Sequence, residues 1–264
     1  QQYSSYFGSG AIAASALLLL PSARRVLTRV AVLAGSWGVF VTARALSDSA
    51  GMALGGPDAV ARFERALFGG KQASAWIQDG LHDTLVGRIL TIGLIAVYGS
   101  FFIAPVVSGL VAVWRGGRCF RVHVAATVAT LAVSCLGFIL LPTAPPWMTD
   151  EGSVERLVQQ TIGSGEGGGW SFEPNAIAAF PSVHVAAATL LSLTLLREVS
   201  SRRALLFLYP AAMSLAIVWL GEHFVADAIA GLLLPLGAWA LAERYVANAA
   251  DVHSSATEAG PVSG

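Results

Sequence analysis

A continuous apolar stretch in the middle of the chain decides the fold class. It reads CFRVHVAATVATLAVSCLGFILLP and covers residues 119–142. A helix needs about 20 mostly apolar residues to cross a bilayer, and this stretch has that length, with Arg121 near its start as its only formal charge. It therefore predicts a membrane-spanning helix that ends at Pro142.

The composition extends this prediction to the whole chain of 264 residues. Hydrophobic residues make up 55% of the chain, charged residues only 12%, and the mean hydropathy is +0.66. Since soluble domains carry roughly 25% charged residues, most of the surface is expected to face the lipid bilayer. The net charge is zero, which argues against nucleic acid as a partner.

Five further apolar runs complete an all-α integral membrane bundle of six transmembrane helices. The runs lie near residues 26–46, 86–114, 181–199, 204–221 and 222–244. We predict one membrane domain over residues 1–247 and a small, polar, disordered C-terminal tail over residues 248–264. Residues 60–68 have apolar side chains at helical spacing, which predicts an amphipathic helix lying at the membrane interface.

The positive charges beside the spans favour one orientation. With the N-terminus inside, ten arginines flank the cytoplasmic ends of the spans and six lysines or arginines lie on the other side. This excess follows the positive-inside rule. Both termini are therefore predicted to be cytoplasmic.

Ionisable residues inside spans are costly and indicate function. His184 begins the fourth predicted span, and His223 and Asp227 begin the sixth. The 39 residues from His184 to His223 correspond to about 58 Å of helix, which is the length of two crossings of a core about 30 Å thick. Both histidines are therefore expected at the same face of the membrane.

The spacing of His223 and Asp227 predicts a direct contact, because residues four apart share one face of a helix. A carboxylate on one imidazole nitrogen fixes the tautomer and leaves the other nitrogen free to react. His184 is then the candidate proton donor to a leaving oxygen. Each assignment has a structural alternative. His184 would then be a hydrogen-bonded histidine at a helix end, and His223 and Asp227 would form an ion pair without a catalytic role. A metal site lacks further ligands in the sequence.

These motifs resemble a known family. The segments Pro181-Ser182-Val183-His184 and His223-x-x-x-Asp227 are similar to the second and third signature motifs of the type 2 phosphatidic acid phosphatase superfamily. Within that superfamily, the chain resembles a bacterial branch that is similar to inositol phosphorylceramide synthase. This closer resemblance lies in the segments Pro142-Thr143-Ala144-Pro145-Pro146-Trp147, Leu220-Gly221-Glu222-His223 and Arg44-Ala45-Leu46-Ser47-Asp48. The resemblance covers about residues 37–244.

The resemblance implies a mechanism and a location. His223 would attack phosphorus and form a phosphohistidine, Asp227 would orient His223, and His184 would protonate the departing alcohol and then activate the acceptor. The implied substrate is a lipid-linked phosphate in the bilayer, and neither a metal nor another cofactor is expected. The implied location is the plasma membrane, with the active site on the non-cytoplasmic face. The sequence leaves the oligomeric state open.

The chain departs from the family pattern at its cationic residues. The first motif, which contains lysine and arginine, is absent, and Ala216 and Ile217 stand in place of the Ser-Arg pair of the third motif. Phosphoryl transfer needs cations around the phosphate oxygens, so we expect them from Arg44 first and Arg156 second. Arg44 could equally be a topology anchor.

Two further residues complete the predicted substrate-binding set. Asp48 belongs to the segment shared with the branch, and Ser182 lies in the second motif. For Ser182, capping of the following helix and contact with phosphate are both open.

Three functions remain open at the level of sequence. A lipid alcohol as acceptor makes the chain a headgroup transferase, which we favour, and water as acceptor makes it a lipid phosphate phosphatase. The non-enzyme alternative is a transporter or binding protein on the same scaffold.

Overall fold

The structure is a computed structural model that describes residues 21–54, 56–149, 153–162, 177–196 and 203–258. Within these ranges the chain is helical, and the only β-type pairing is an isolated bridge between Thr143 and Ala178. The predicted all-α fold is therefore confirmed for the described residues.

The described residues form eleven α-helices. In chain order they are α1 (Pro21–Leu54), α2 (Ala59–Leu67), α3 (Ala73–Gln78), α4 (Leu85–Gly99), α5 (Ala104–Arg115), α6 (Gly117–Leu140), α7 (Pro146–Thr149), α8 (Leu157–Ile162), α9 (Val183–Leu195), α10 (Leu208–Trp219) and α11 (Val225–Glu258). Two 3₁₀ turns, Ser100–Phe102 and Arg203–Phe207, precede α5 and α10.

Four segments are long and apolar enough to cross a membrane: Ser22–Ser47, Leu85–Phe102, Gly117–Leu140 and Val225–Ala249. Three shorter apolar helices accompany them: Ala104–Arg115, Val183–Leu195 and Ala204–Trp219. Large apolar side chains such as Leu85, Val39 and Leu140 are about 70% exposed on the long helices, as expected where a surface faces lipid. Four such helices indicate an integral membrane protein, and the count of six spans stays a prediction.

The predicted run 86–114 differs from the structure, because it forms two helices instead of one. Helix α4 ends at Gly99, and α5 begins at Ala104 with Pro105 in its first turn. A proline has no N–H to donate and fits the first turn of a helix better than its interior. The chain therefore breaks and restarts at this proline, close to the candidate site.

Two further predictions meet the structure in part. Helix α2 buries Val60 and Ala61 while Phe63 and Leu67 are exposed, so a two-faced helix is present and its place at the interface stays a prediction. Helix α11 continues past residue 248 to Glu258. The division into a domain ending at 247 and a tail stays a prediction, and residues 259–264 lie outside the described ranges.

Helix α9 is the short central helix of the bundle. It packs against α5, α6, α10 and α11, and its successive residues Val185, Ala186, Ala187 and Ala188 are all buried. Small side chains allow helices to approach closely in membranes. The alanine-rich sequence of α9 therefore explains how it can be surrounded on all sides.

Two close contacts bring the start of α9 to the start of α11. A Cβ atom on Gly231 of α11 would lie 2.4 Å from the carbonyl oxygen of Ser182, so only glycine allows this approach. The backbone N–H of Ser182 also donates to the carbonyl oxygen of Asp227, at 3.1 Å. These contacts place His184 beside His223.

The loop after α6 is held against the segment that leads into α9. The N–H of Thr143 donates to the carbonyl of Ile177 at 2.7 Å, and the N–H of Ala179 donates to the carbonyl of Thr143 at 3.1 Å. This pairing brings Pro145 to the same end of the bundle as His184.

Candidate active site

Three side chains at the adjoining starts of α9 and α11 form a continuous chain of contacts. Nδ1 of His184 lies 3.3 Å from Nε2 of His223, and Nδ1 of His223 lies 3.3 Å from Oδ2 of Asp227. His223 is 6% exposed and Asp227 is fully buried. The structure thus brings together the three residues predicted as catalytic. His184 and His223 are 39 residues apart in the sequence, and His223 and Asp227 are four apart.

The contacts favour one arrangement of protons. When Nδ1 of His223 carries the proton and donates to Asp227, Nε2 of His223 holds a lone pair. Nδ1 of His184 is then the donor to that lone pair. A proton on His184 therefore points at the unprotonated nitrogen of His223.

Asp227 also closes the N-terminus of α11. Its Oδ2 accepts the backbone N–H of Phe224 at 2.9 Å, which is the reach from the third helical position back to the N-cap that a capping box uses. Its Oδ1 has no hydrogen-bond partner among the described residues. The carboxylate is thus fixed by the backbone before it meets His223.

Aromatic rings form the walls around His184. The ring of Tyr98 stacks on His184 with 4.7 Å between centroids, and the ring of Phe101 lies 4.3 Å away. Both come from the end of α4 and the 3₁₀ turn that follows it. The break in the run 86–114 therefore places two aromatic side chains against the imidazole.

A cavity of about 800 Å³ opens beside the two histidines. Its polar end contains His184, His223, Glu222, Arg44 and Arg156. The rest of its wall is apolar and comes largely from α1 and α5, including Val30, Leu33, Trp37, Val41, Phe102, Val106, Leu110 and Val113. A polar end thus continues into a longer apolar groove.

The comparison with protein families decides the wider assignment. A family model described as PAP2 superfamily matches residues 58–241, a range that includes all three residues of the contact chain. The chain belongs to the PAP2 superfamily. No match was found among curated proteins or among solved structures.

PAP2 superfamily membership supports a lipid enzyme of the phosphatase or phosphotransferase type. Within the described residues, no group of three or more His, Cys, Asp or Glu side chains could hold a metal ion. The two imidazoles and the carboxylate of the contact chain can offer nucleophilic and acid–base chemistry.

The two predicted cationic residues both line the polar end of the cavity. Arg156 donates from Nε to Oε1 of Glu222 at 2.8 Å and lies 4.6 Å above the ring of Trp147. Arg44, from α1, is close enough to His184 to act on it electrostatically. Ala216 and Ile217, which stand in place of the family's Ser-Arg pair, are instead fully buried in the apolar core.

The other two predicted substrate-binding residues are placed differently. The hydroxyl of Ser182 accepts the backbone N–H of Val185 at 3.5 Å, a long contact that caps α9. Asp48 lies in α1, and the structure does not describe its side chain. Substrate contact by either residue stays a prediction.

One buried carboxylate at this site escaped the sequence analysis. Glu64 of α2 is 1% exposed, and its two oxygens accept backbone N–H groups from Ala73 and Val225 at 3.1 Å and 3.2 Å. Val225 is the first residue of α11 and stands between His223 and Asp227 in the sequence. The only signal in the sequence was a glutamate within a pattern that otherwise describes an amphipathic surface helix.

Proposed function

We propose that this chain is a membrane phosphotransferase that moves a phosphate-containing headgroup between lipids through a phosphohistidine. The observation that carries the proposal is the contact chain from His184 through His223 to the buried Asp227, at the polar end of a long apolar cavity. Its three members supply a nucleophile, an orienting acid and a proton donor at one point.

The cavity supports a lipid as the substrate. Its α1 wall runs from Val30 to Arg44, which is about 21 Å of helix, more than half of a hydrocarbon core about 30 Å thick. Arg44 and Arg156 lie at the histidine end, where a phosphate would sit. The matching order of charge and apolar surface fits a phosphate headgroup followed by a hydrocarbon chain.

In the first step, Nε2 of His223 attacks phosphorus and the bond from phosphorus to the leaving oxygen breaks. His184, which enters the step as an imidazolium with protons on both ring nitrogens, passes its Nδ1 proton to that oxygen and becomes a neutral imidazole, so the donor lipid leaves as a neutral alcohol. Asp227 stabilises the positive charge that develops on His223. The phosphate must enter by displacing the 3.3 Å contact between the two imidazoles.

In the second step, Nδ1 of His184 accepts the proton of the acceptor alcohol while its oxygen attacks the phosphorus. The bond from phosphorus to Nε2 of His223 breaks, and both imidazoles return to their starting protonation. Arg44 and Arg156 would balance the charge on the phosphoryl oxygens throughout.

The resemblance to the branch of inositol phosphorylceramide synthase supports an alcohol as acceptor. Water as acceptor gives the second candidate function, a lipid phosphate phosphatase, which PAP2 superfamily membership supports directly. We further propose six spans and an active site on the non-cytoplasmic face of the plasma membrane.

The test uses the full chain purified into lipid nanodiscs with radiolabelled phosphatidylinositol, with and without a ceramide acceptor, and separately with radiolabelled phosphatidic acid. A new phosphodiester that depends on the acceptor supports transfer, whereas release of inorganic phosphate supports the phosphatase. Acid-labile label on the protein, absent in His223→Ala, supports the phosphohistidine. Absence of turnover by the wild type would favour a transporter or binding protein on this scaffold, and unchanged turnover in His223→Ala would overturn the role of His223.

A further inference from the structure

We propose that Glu64 is a positioning residue of the candidate active site, which fixes the start of α11 and thereby the placement of His223 against Asp227. This inference rests on the proposed function, because it assigns Glu64 a role through His223. It adds to the site a residue that lies outside the signature motifs.

The carboxylate of Glu64 lies at the N-terminus of α11, beside that of Asp227. The first N–H groups of an α-helix lack partners within the helix. In α11, Asp227 accepts the N–H of Phe224 and Glu64 accepts the N–H of Val225. Two carboxylates therefore hold two successive amides immediately after His223, and a helix N-terminus favours such negative charge.

The other carboxylate oxygen of Glu64 holds the start of α3. Oε1 of Glu64 accepts the N–H of Ala73, the first residue of α3. One side chain of α2 thus joins the starts of two other helices across 161 residues of sequence. The apolar contacts of Val60 and Ala61 with the fully buried Phe224 add a second tie between α2 and the start of α11.

Glu64 and Asp227 also interact electrostatically. Burial raises the pKa of Glu64 to about 7, hydrogen bonds from Ala73 and Val225 oppose this rise, and the charge of Asp227 adds to it. Asp227 is the titratable group that acts on Glu64. Ionisation of Glu64 near neutral pH leaves both of its oxygens free to accept the N–H groups of Ala73 and Val225.

The consequence for catalysis follows from the short reach of the contact chain. A carboxylate that orients an imidazole must keep its distance and direction, and a displacement of about 1 Å in an active site costs on the order of a hundred-fold in rate. Removing the tie at Val225 frees the turn that carries His223. The groove that binds the lipid is formed by other helices and is unaffected.

The experiment compares Glu64→Gln and Glu64→Leu with the wild type in nanodiscs, using phosphatidic acid as the probe. Glu64→Leu leaves both backbone N–H groups without an acceptor and should lower kcat about a hundred-fold, with KM unchanged. Glu64→Gln retains one acceptor and should lose less. Rates are expressed per folded protein, taken from thermal unfolding.

A matched control separates positioning from general stability. Thr91→Val removes a buried hydroxyl that accepts the indole N–H of Trp219 at 2.9 Å, in helices that do not carry His223 or Asp227. It should lower the melting temperature without lowering kcat per folded protein.

The pH profile supplies a readout that a purely structural role would not move. The ratio of the wild-type rate to the Glu64→Gln rate should rise as the pH passes through about 7. A constant ratio, or a loss of kcat in Thr91→Val equal to that in Glu64→Leu, would overturn the proposal. Full activity of Glu64→Leu alongside an inactive His223→Ala would overturn it while leaving the proposed function intact. Activity in His223→Ala would overturn both.

Discussion

Asp227 has two tasks at the residue scale, and they use the same oxygen. Its Oδ2 accepts the backbone N–H of Phe224 and also faces Nδ1 of His223. In Asp227→Asn the amide oxygen can still accept from Phe224, so α11 can keep its N-terminus. The neutral amide, however, no longer stabilises the positive charge that develops on His223 during the attack.

We therefore expect Asp227→Asn to fold normally and to lose about ten-thousand-fold in kcat, as when the orienting acid of a catalytic triad is changed to its amide. Turnover of lipid phosphate by the purified variant, beside its melting temperature, measures both parts. A well-folded variant with a near-normal rate would remove Asp227 from the mechanism.

Glu64 gives a second residue-scale expectation, for stability and pH. Burial raises the pKa of its carboxyl from the ordinary value of 4.5 to about 7. A raised pKa means that the folded state binds the proton more tightly than the unfolded state does. The resulting stabilisation is fully present below about 4.5 and is lost as the pH rises through about 7.

The melting temperature of the wild type should thus fall relative to that of Glu64→Gln across this range, because glutamine has no proton to lose. Differential scanning fluorimetry of both proteins in the same nanodiscs measures the difference. Parallel curves would show that Glu64 does not titrate in this window.

The residues of the site differ in how far the sequence could predict them. His223 and Asp227 are four apart on one helix, and the distance to His184 equals two membrane crossings, so simple geometry brings all three together. Glu64 contacts α11 across 161 residues, and helical periodicity contains no information about which distant backbone N–H a side chain meets. Its burial could be found only from the packed structure.

The same limit appears at the scale of elements. Apolar length predicted the long helices well, since bilayer thickness sets that length. The run 86–114 has the apolar length of one span, but Pro105 lies within it. In the structure the run breaks into α4 and α5. The break matters because it places the ring of Phe101 against His184. Hydropathy alone contains no information about such a turn.

The crossing of α9 and α11 carries the element-scale prediction. A Cβ atom on Gly231 would lie 2.4 Å from the carbonyl oxygen of Ser182, and backbone atoms cannot move aside as a flexible side chain can. Gly231→Ala should push the start of α9 away from α11 and lower kcat about a hundred-fold.

Gly237 on the same helix provides the matched control, since an added Cβ there meets nothing within 4 Å. Gly237→Ala should keep its activity and gain up to about 1 kcal/mol from helix propensity. Equal rates for the two alanine variants would mean that the crossing distance does not set the placement of His184.

At the scale of the whole molecule, the bundle combines a short central helix with longer helices around it. The start of α9 lies at the polar end of the cavity, and α1 and α5 line the groove that leads away from it. Arg29 of α1 donates to the carbonyl of Val113 at 3.0 Å, beside the lining residues that lie farthest from Arg44 along α1. The lined part of the groove therefore extends from the two histidines to about Val30 and Val113.

A groove of this extent predicts a dependence on chain length. Gly109 lines the groove, and a Cβ there would lie 3.2 Å from Cδ1 of Leu33, a flexible side chain that can yield. Leu33 lies 11 residues before Arg44 on α1, which is about 17 Å of helix. Gly109→Leu should raise KM about ten-fold for dioleoyl phosphatidic acid, while KM for the dioctanoyl lipid stays unchanged because its chains end before the new side chain. Gly93→Leu, on α4 with nothing within 4 Å of its added Cβ, should alter neither value. Equal changes in KM for the two lipids in Gly109→Leu would place the hydrocarbon chains outside this groove.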